Sequence, residues 1–260
     1  MNPDSHNGLN IKILFGISLI AIIAAALSPP FPQPLDYHDF ADQREIFGIP
    51  NFWNVVSNVP FLLIGIPGAI WLSISTLPGG VPRLRSAYLV FFIGTAFVGI
   101  GSGYYHLFPS NETLFWDRLP MTVAFAAFFC IVVGEYVSGR VGARALWPLV
   151  FICACSVVYW SYTESLGRGD LRPYALVQFL PIVLATFILV RYRSPFGSSR
   201  HMWSIAGIYI VAKLAEALDG QLYHLFGSFS GHSLKHLFAS VAGLVLIHAL
   251  LRRKLVDQGL

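Results

Sequence analysis

Charge is what this sequence has least of. Asp, Glu, Lys and Arg make up 12% of its 260 residues, against 55% hydrophobic, where a soluble domain carries about 25% charge. That deficit, with a mean hydropathy of +0.64, excludes an ordinary water-soluble domain and points to lipid as the solvent. Cysteine is also scarce. Cys130, Cys153 and Cys155 all lie in apolar runs. An odd count at that spacing matches no disulfide or zinc framework, so they read as small core or lipid-facing residues. Internal repeats and low-complexity tracts are absent. The pI near 9.0 reads as a topology signal, because basic residues collect in cytoplasmic loops; no nucleic-acid partner is expected.

What is present is a series of long apolar runs. A spanning helix needs about 20 mostly apolar residues. Eight segments qualify: 11–27, 53–76, 87–107, 120–138, 146–163, 173–191, 202–222 and 234–251. Between them stand breaks rich in Pro and Gly, such as Ser28-Pro29-Pro30, Leu77-Pro78-Gly79-Gly80 and Ser194-Pro195-Phe196-Gly197. The expected fold class is all-α, a polytopic transmembrane helix bundle. The first segment lacks the strongly basic lead of a signal peptide and reads as a retained anchor.

Basic residues divide unevenly between the two faces. One set of loops and tails holds Lys12, Arg83, Arg85, Arg140, Arg144, Arg191, Arg193, Arg200, Arg252, Arg253 and Lys254. The other holds Arg44, Arg118, Arg168, Arg172 and Lys235. Eleven against five predicts that both termini are cytoplasmic. Short Arg-rich loops suggest a bacterial inner membrane, with the second face periplasmic.

That second face receives a constellation. His232 and His236 are four apart at the start of the last span, so they share a helix face and can grip one metal. His106 closes the third span, with Ser102 one turn before it. Asp117 opens the fourth. Ionisable residues at membrane depth are costly and functional by default. Three His match the ligand set of a catalytic zinc, which leaves a fourth position for water. Asp117 suits a general base, and the Ser102 hydroxyl suits an oxyanion donor. Each has a plainer reading: close packing at Ser102, a helix cap at Asp117, an interfacial side chain at His106. Lys213 and Glu216, three apart, read as an ion pair. Asp219 is a candidate to hydrogen-bond a ligand imidazole. Trp116, Trp147, Trp160 and Tyr162 suit interfacial belts.

Ser102-x-x-x-His106, Asp117 before Leu119-Pro120-Met121, and His232-x-x-x-His236 together resemble the alkaline ceramidase family, part of a seven-span hydrolase superfamily that includes adiponectin-receptor-like proteins. Phe52-Trp53-Asn54-Val55-Val56-Ser57-Asn58 is similar to that family's signature before its first core span, and Leu218-Asp219 to a further acidic position. The resemblance covers roughly residues 40–250. It implies zinc held by His106, His232 and His236, with Ser102 and Asp117 assisting, and hydrolysis of the amide between a fatty acyl chain and a sphingoid base. The partners are then a membrane lipid, ceramide or another N-acyl lipid, and the bilayer itself. It also divides the chain into residues 1–30, a cytoplasmic tail with an extra helix, and residues 31–260, a seven-helix catalytic bundle.

Animal members carry a calcium site in an acidic stretch before Phe-Trp-Asn. Asp39-Phe40-Ala41-Asp42 is similar to its opening, but Arg44 stands where an oxygen ligand belongs and Asn51 replaces a closing Glu. Calcium and a solvated acidic loop both stay open. Zinc chemistry does not distinguish amide from ester, so a lipid esterase and a receptor or sensor are the alternatives. A metal or proton transporter fits poorly, because the metal-type residues collect at one end.

Overall fold

The computed structural model describes residues 3–256 apart from residue 78; Pro78, in one of the expected breaks, lies outside them. Ten α-helices follow one another: α1 (Pro3–Leu27), α2 (Phe52–Val56), α3 (Val59–Ile74), α4 (Arg85–Leu107), α5 (Asn111–Tyr136), α6 (Gly139–Ser165), α7 (Arg172–Arg191), α8 (Arg200–Ala217), α9 (Asp219–Phe226) and α10 (Gly231–Arg252). Helices α3 to α6 pack in sequence, each against the next. α7 lies on α5 and α6, and α10 packs on both α8 and α3. α1 rides on the outside of α7. Large apolar side chains face outward along the bundle, among them Phe15, Leu63, Ile74, Phe151 and Val190.

Seven helical segments among the described residues are long and apolar enough to cross a membrane. The chain is an integral, multi-pass membrane protein. The expected span at 202–222 is not among the seven, because Lys213 and Glu216 interrupt it. Its ends nonetheless lie at opposite ends of the bundle. His201, in its first turn, lies beside His248 near the end of α10. Asp219, just past its last turn, accepts a hydrogen bond from the His232 amide at the start of α10. α8 therefore runs antiparallel to α10 over its length. An 18-residue helix covers about 27 Å at 1.5 Å per residue. Its charges are tolerated because they pair: Lys213 and Lys235 both reach Glu216.

Three expected boundaries are corrected. The span expected from 53 is present as Phe52–Ile74, but its helix is interrupted at Ser57–Asn58, because Pro60 has no amide hydrogen to continue the ladder. The Asn58 backbone amide turns to the Val55 carbonyl at 3.2 Å, and the Asn54 carbonyl accepts from the Asn58 side-chain amide and the Ser57 hydroxyl, at 2.7 and 3.1 Å. The span expected from 120 begins at Asn111, where Ser110 and Thr113 form a capping box that ties down the first turn. Asp117 is therefore inside α5 rather than at its mouth. Pro120 is absorbed within the helix. It cannot donate to the Trp116 carbonyl, and that oxygen sits against Gly101, where a Cβ would come within 1.9 Å. Finally, the span expected from 202 to 222 bends at Leu218 and continues as the short α9.

The main core fills the half of the bundle where α1 starts and α10 finishes, around Leu72, Tyr88, Phe92, Ile131 and Leu246. A smaller aromatic cluster of Phe40, Tyr105, Leu114, Val157, Trp160, Leu171 and Tyr174 fills the other end. Trp160 is a further correction. It is fully buried there, beneath the Arg118 guanidinium at 4.2 Å, whereas Trp116, Trp147 and Tyr162 are exposed as expected of a belt.

Candidate metal centre

The end of the bundle opposite the start of α1 is where the polar residues meet. α4 delivers Ser102 and His106, α5 delivers Asp117, and α10 delivers His232 and His236. All five are buried. Two glycines let the helices close on them. Gly101 admits α5 at Trp116–Asp117, and Gly231 admits the end of α8, where a Cβ would lie 2.0 Å from the Ala215 carbonyl. The Ser102 hydroxyl lies on the side of α4 that faces the Asp117 carboxyl.

The three imidazoles form a near-equilateral triangle, with ring centroids 4.9, 4.9 and 5.0 Å apart. One nitrogen from each lies within 4.8 Å of the others, and this is the one metal-competent group of three or more among the described residues. The hydrogen bonds around it leave valences open. Both ring nitrogens of His106 are buried without a partner, a state that costs about 1–3 kcal/mol per polar group. His236 Nδ1 meets Ser57 Oγ at 2.8 Å. That hydroxyl already donates to the Asn54 carbonyl, so it accepts from His236 Nδ1–H and leaves Nε2 as the lone-pair nitrogen. This is the partner arrangement expected of a metal-binding His. The donor set therefore fits a metal ion.

Four further residues surround the triangle. Phe40 roofs it, with its ring 4.7 Å from His106 and 4.9 Å from His232. The roof is tied down on both sides. The Ala41 amide donates to Asp219 Oδ2, whose Oδ1 accepts the His232 amide; Asp219 thus holds backbone, not the imidazole its spacing suggested. Asn51 donates to the His106 carbonyl at 2.9 Å. Lys235, one of the five basic residues counted to this face, donates from Nζ to His232 Nε2 at 2.9 Å and to Glu216 at 3.0 Å. Its position follows from α10 geometry, since residues 232 and 235 share a face, and its charge acts on Asp117 as well as on the three imidazoles.

The acidic stretch is not arranged for calcium. Arg44 takes both oxygens of Asp42, at 2.8 and 2.7 Å, reaches the Ser228 carbonyl at 2.8 Å and covers the Tyr223 ring. Burial pushes the Asp42 carboxyl up, but the Arg44 hydrogen bonds outweigh it and hold it below the usual range. The Arg44 guanidinium occupies both Asp42 oxygens, so this stretch does not offer them to a calcium ion.

A family model described as Ceramidase matches residues 47–218, more than half of the chain. The protein belongs to the ceramidase family. The coarse activity comes with membership: a membrane hydrolase acting on an amide bond. The match contains Ser102, His106 and Asp117 of this ceramidase-family chain and ends before His232 and His236, which the fold alone brings to them. Among curated proteins nothing matches.

Proposed function

We propose that the protein is a zinc-dependent lipid amidase that cleaves the N-acyl bond of ceramide or a similar N-acyl lipid, releasing a fatty acid and an amine. The observation that carries this reading is the buried triangle of His106, His232 and His236, with His106 unpartnered, beside Ser102 and Asp117. His106, His232 and His236 would hold the metal. Zinc, when bound, supplies Lewis acidity that polarises a carbonyl and makes water acidic near neutral pH.

The remaining steps belong to the chain. Asp117 accepts a proton from the attacking water at a carboxylate oxygen and returns it to the leaving nitrogen. The Ser102 hydroxyl turns from Asp117 to the carbonyl oxygen as negative charge builds there. Phe40 keeps bulk water from the triangle, where a drier site strengthens each of these interactions. The Lys213–Glu216–Lys235 chain at α8 and α10 fixes the charge nearest His232.

The bias of basic residues supports a site on the periplasmic face of a bacterial inner membrane, with both termini cytoplasmic. The outlying position of α1 supports residues 1–30 as an anchor added to a catalytic bundle of residues 31–260.

The test is to incubate detergent-purified protein with acyl-labelled ceramide and with a matched lipid ester, alongside His236→Ala. Fatty acid released from ceramide by the wild type alone, with about one zinc per chain lost in the variant, is the expected result. Cleavage of the ester only overturns the amide assignment. No release from either substrate by zinc-loaded protein overturns the hydrolase.

A further inference from the structure

A second polar site lies at the far end of the bundle from the three histidines. There the first turn of α8 meets the last turns of α10 around a cavity of about 590 Å³, lined by Arg200, His201, Ser204, Leu244, Val245 and His248. Nothing in the proposed hydrolysis uses these residues.

His201 is the informative one. It is 9% exposed, it lines the cavity, and its Nδ1 is buried without a partner. Its ring lies 5.6 Å from that of His248. A buried polar atom left open in this way costs free energy and marks a place where a ligand, rather than the protein, completes the valence.

The surroundings decide the sign of that ligand. None of the six lining residues is acidic, and Arg200 adds a permanent positive charge. α8 begins here; its N-cap Ser199 makes no side-chain cap, the Arg200 amide donates to the Ser198 hydroxyl at 3.3 Å, and the remaining first-turn amides of an 18-residue helix favour an anion. Arg253 also acts on His201. Two imidazoles alone could hold a metal cation, but a guanidinium and a helix N-terminus around them oppose one. Ser204 offers a hydroxyl to an oxyanion, and Leu244 and Val245 supply an apolar wall.

We propose that this cavity binds a phosphate group, and that its source in the membrane is the headgroup of an anionic phospholipid. Arg200 and the start of α8 take the charge, the His201 imidazole and the Ser204 hydroxyl donate to phosphate oxygens, and the acyl chains run down past Leu244. The loops around this end carry the larger share of Lys and Arg, which suits an anionic leaflet. The site is independent of the hydrolase reading.

The experiment uses the full chain in nanodiscs of phosphatidylcholine alone or of phosphatidylcholine with phosphatidylglycerol, and in detergent with inorganic phosphate. The melting temperature should rise with phosphatidylglycerol, because a ligand of the folded state stabilises it. The double variant Arg200→Gln/His201→Gln should lose that rise while keeping its zinc content. Should the double variant fail to fold, single variants at the two exposed lining residues, Ser204→Ala and His248→Gln, should each reduce the rise. An equal rise with inorganic phosphate at matched occupancy supports the phosphate site but assigns it to the free ion. No rise in the wild type, or the same rise in every variant, overturns the site. So does uptake of a second zinc or nickel ion by the wild type that is lost in His201→Gln, because the cavity would then be cationic in preference.

Discussion

The two ends of the bundle each bury a polar cluster, and the clusters differ in how many of their valences are filled. At the end where α10 finishes, Glu135 and Arg253 form a bidentate pair at 2.7 and 2.9 Å. Tyr88 donates to Glu135 at 2.6 Å, Arg253 Nε donates to the Gly79 carbonyl, and the guanidinium covers Phe196. The carboxylate and the guanidinium are each held by partners of the protein's own. At the other end the His106 ring is as deeply buried and has no partner on either nitrogen. Burial alone therefore does not separate structural from functional polar groups. A filled network locks the C-terminal end of α10 to α5, and an open one keeps donors in reserve for something the chain does not itself supply.

The strongest way to break this comparison is to exchange the losses. Glu135→Ala strands Arg253 in the interior and should cost about 3–5 kcal/mol of stability, the usual cost of removing one partner of a buried pair. Its zinc content, measured below its lowered melting temperature, should stay at the wild-type value. His106→Ala should do the opposite. It removes an unpartnered group, so the metal-stripped protein should melt no lower than metal-stripped wild type, while bound zinc and activity disappear. Loss of zinc in folded Glu135→Ala would merge the two clusters into one cooperative unit and end the distinction.

Asp117→Asn sharpens it within the open cluster. The amide keeps the size but cannot take a proton. The expected outcome is a fall in kcat of about 10²–10⁴-fold with metal content unchanged. A fall in metal content would move Asp117 from proton transfer to metal support.

Ser57→Ala probes the triangle residue whose second nitrogen is held by a neutral hydroxyl. Without the Ser57 oxygen, His236 loses the acceptor that fixes its Nδ1–H. Metal affinity should weaken by about 10–100-fold, measured by competition with a chromogenic chelator, and Ser57→Thr should restore it. An unchanged affinity would mean that the tautomer of His236 is set elsewhere.

How much of this was legible in the sequence depends on the range of the contact. Apolar runs gave the helices, because a membrane demands continuous hydrophobic length. Spacing and topology brought His106, His232 and His236 to one end, because i,i+4 geometry and helix direction are local rules. The start of α5 was missed because Pro120 reads as a first-turn proline, while the Ser110–Thr113 cap that begins the helix has no acidic third residue to advertise it. α8 was legible as a span by eye yet carries Lys213 and Glu216, which only pairing across to Lys235 makes tolerable. Phe40 could not be found as the roof, since its contacts lie 66 and 192 positions along the chain, at His106 and His232. The Arg44 substitution was visible as a departure from the family pattern. What it does there, closing on Asp42 and Ser228, required the fold.

The smallest effect is expected outside both clusters, where α7 holds α1. Arg172 pairs with Asp170 at 2.8 Å and donates to the Ser28 carbonyl at 2.6 Å. Hydrogen bonds from Arg172 hold the Asp170 carboxyl down at about 2, against about 3.9 in an unfolded chain. A carboxylate whose pKa is lowered by folding contributes stability that is present above the unfolded value and is lost as pH falls through the folded one. Asp170→Asn should therefore melt slightly below wild type at pH 7, and the gap should close between about pH 4 and about pH 2. The variant should also cut faster between α1 and the rest under limited proteolysis, because Arg172 is freed from the carboxylate that aims it at the end of α1. A gap that persists at pH 2 would show that Asp170 acts through its shape and its bond to Tyr159 rather than through its charge.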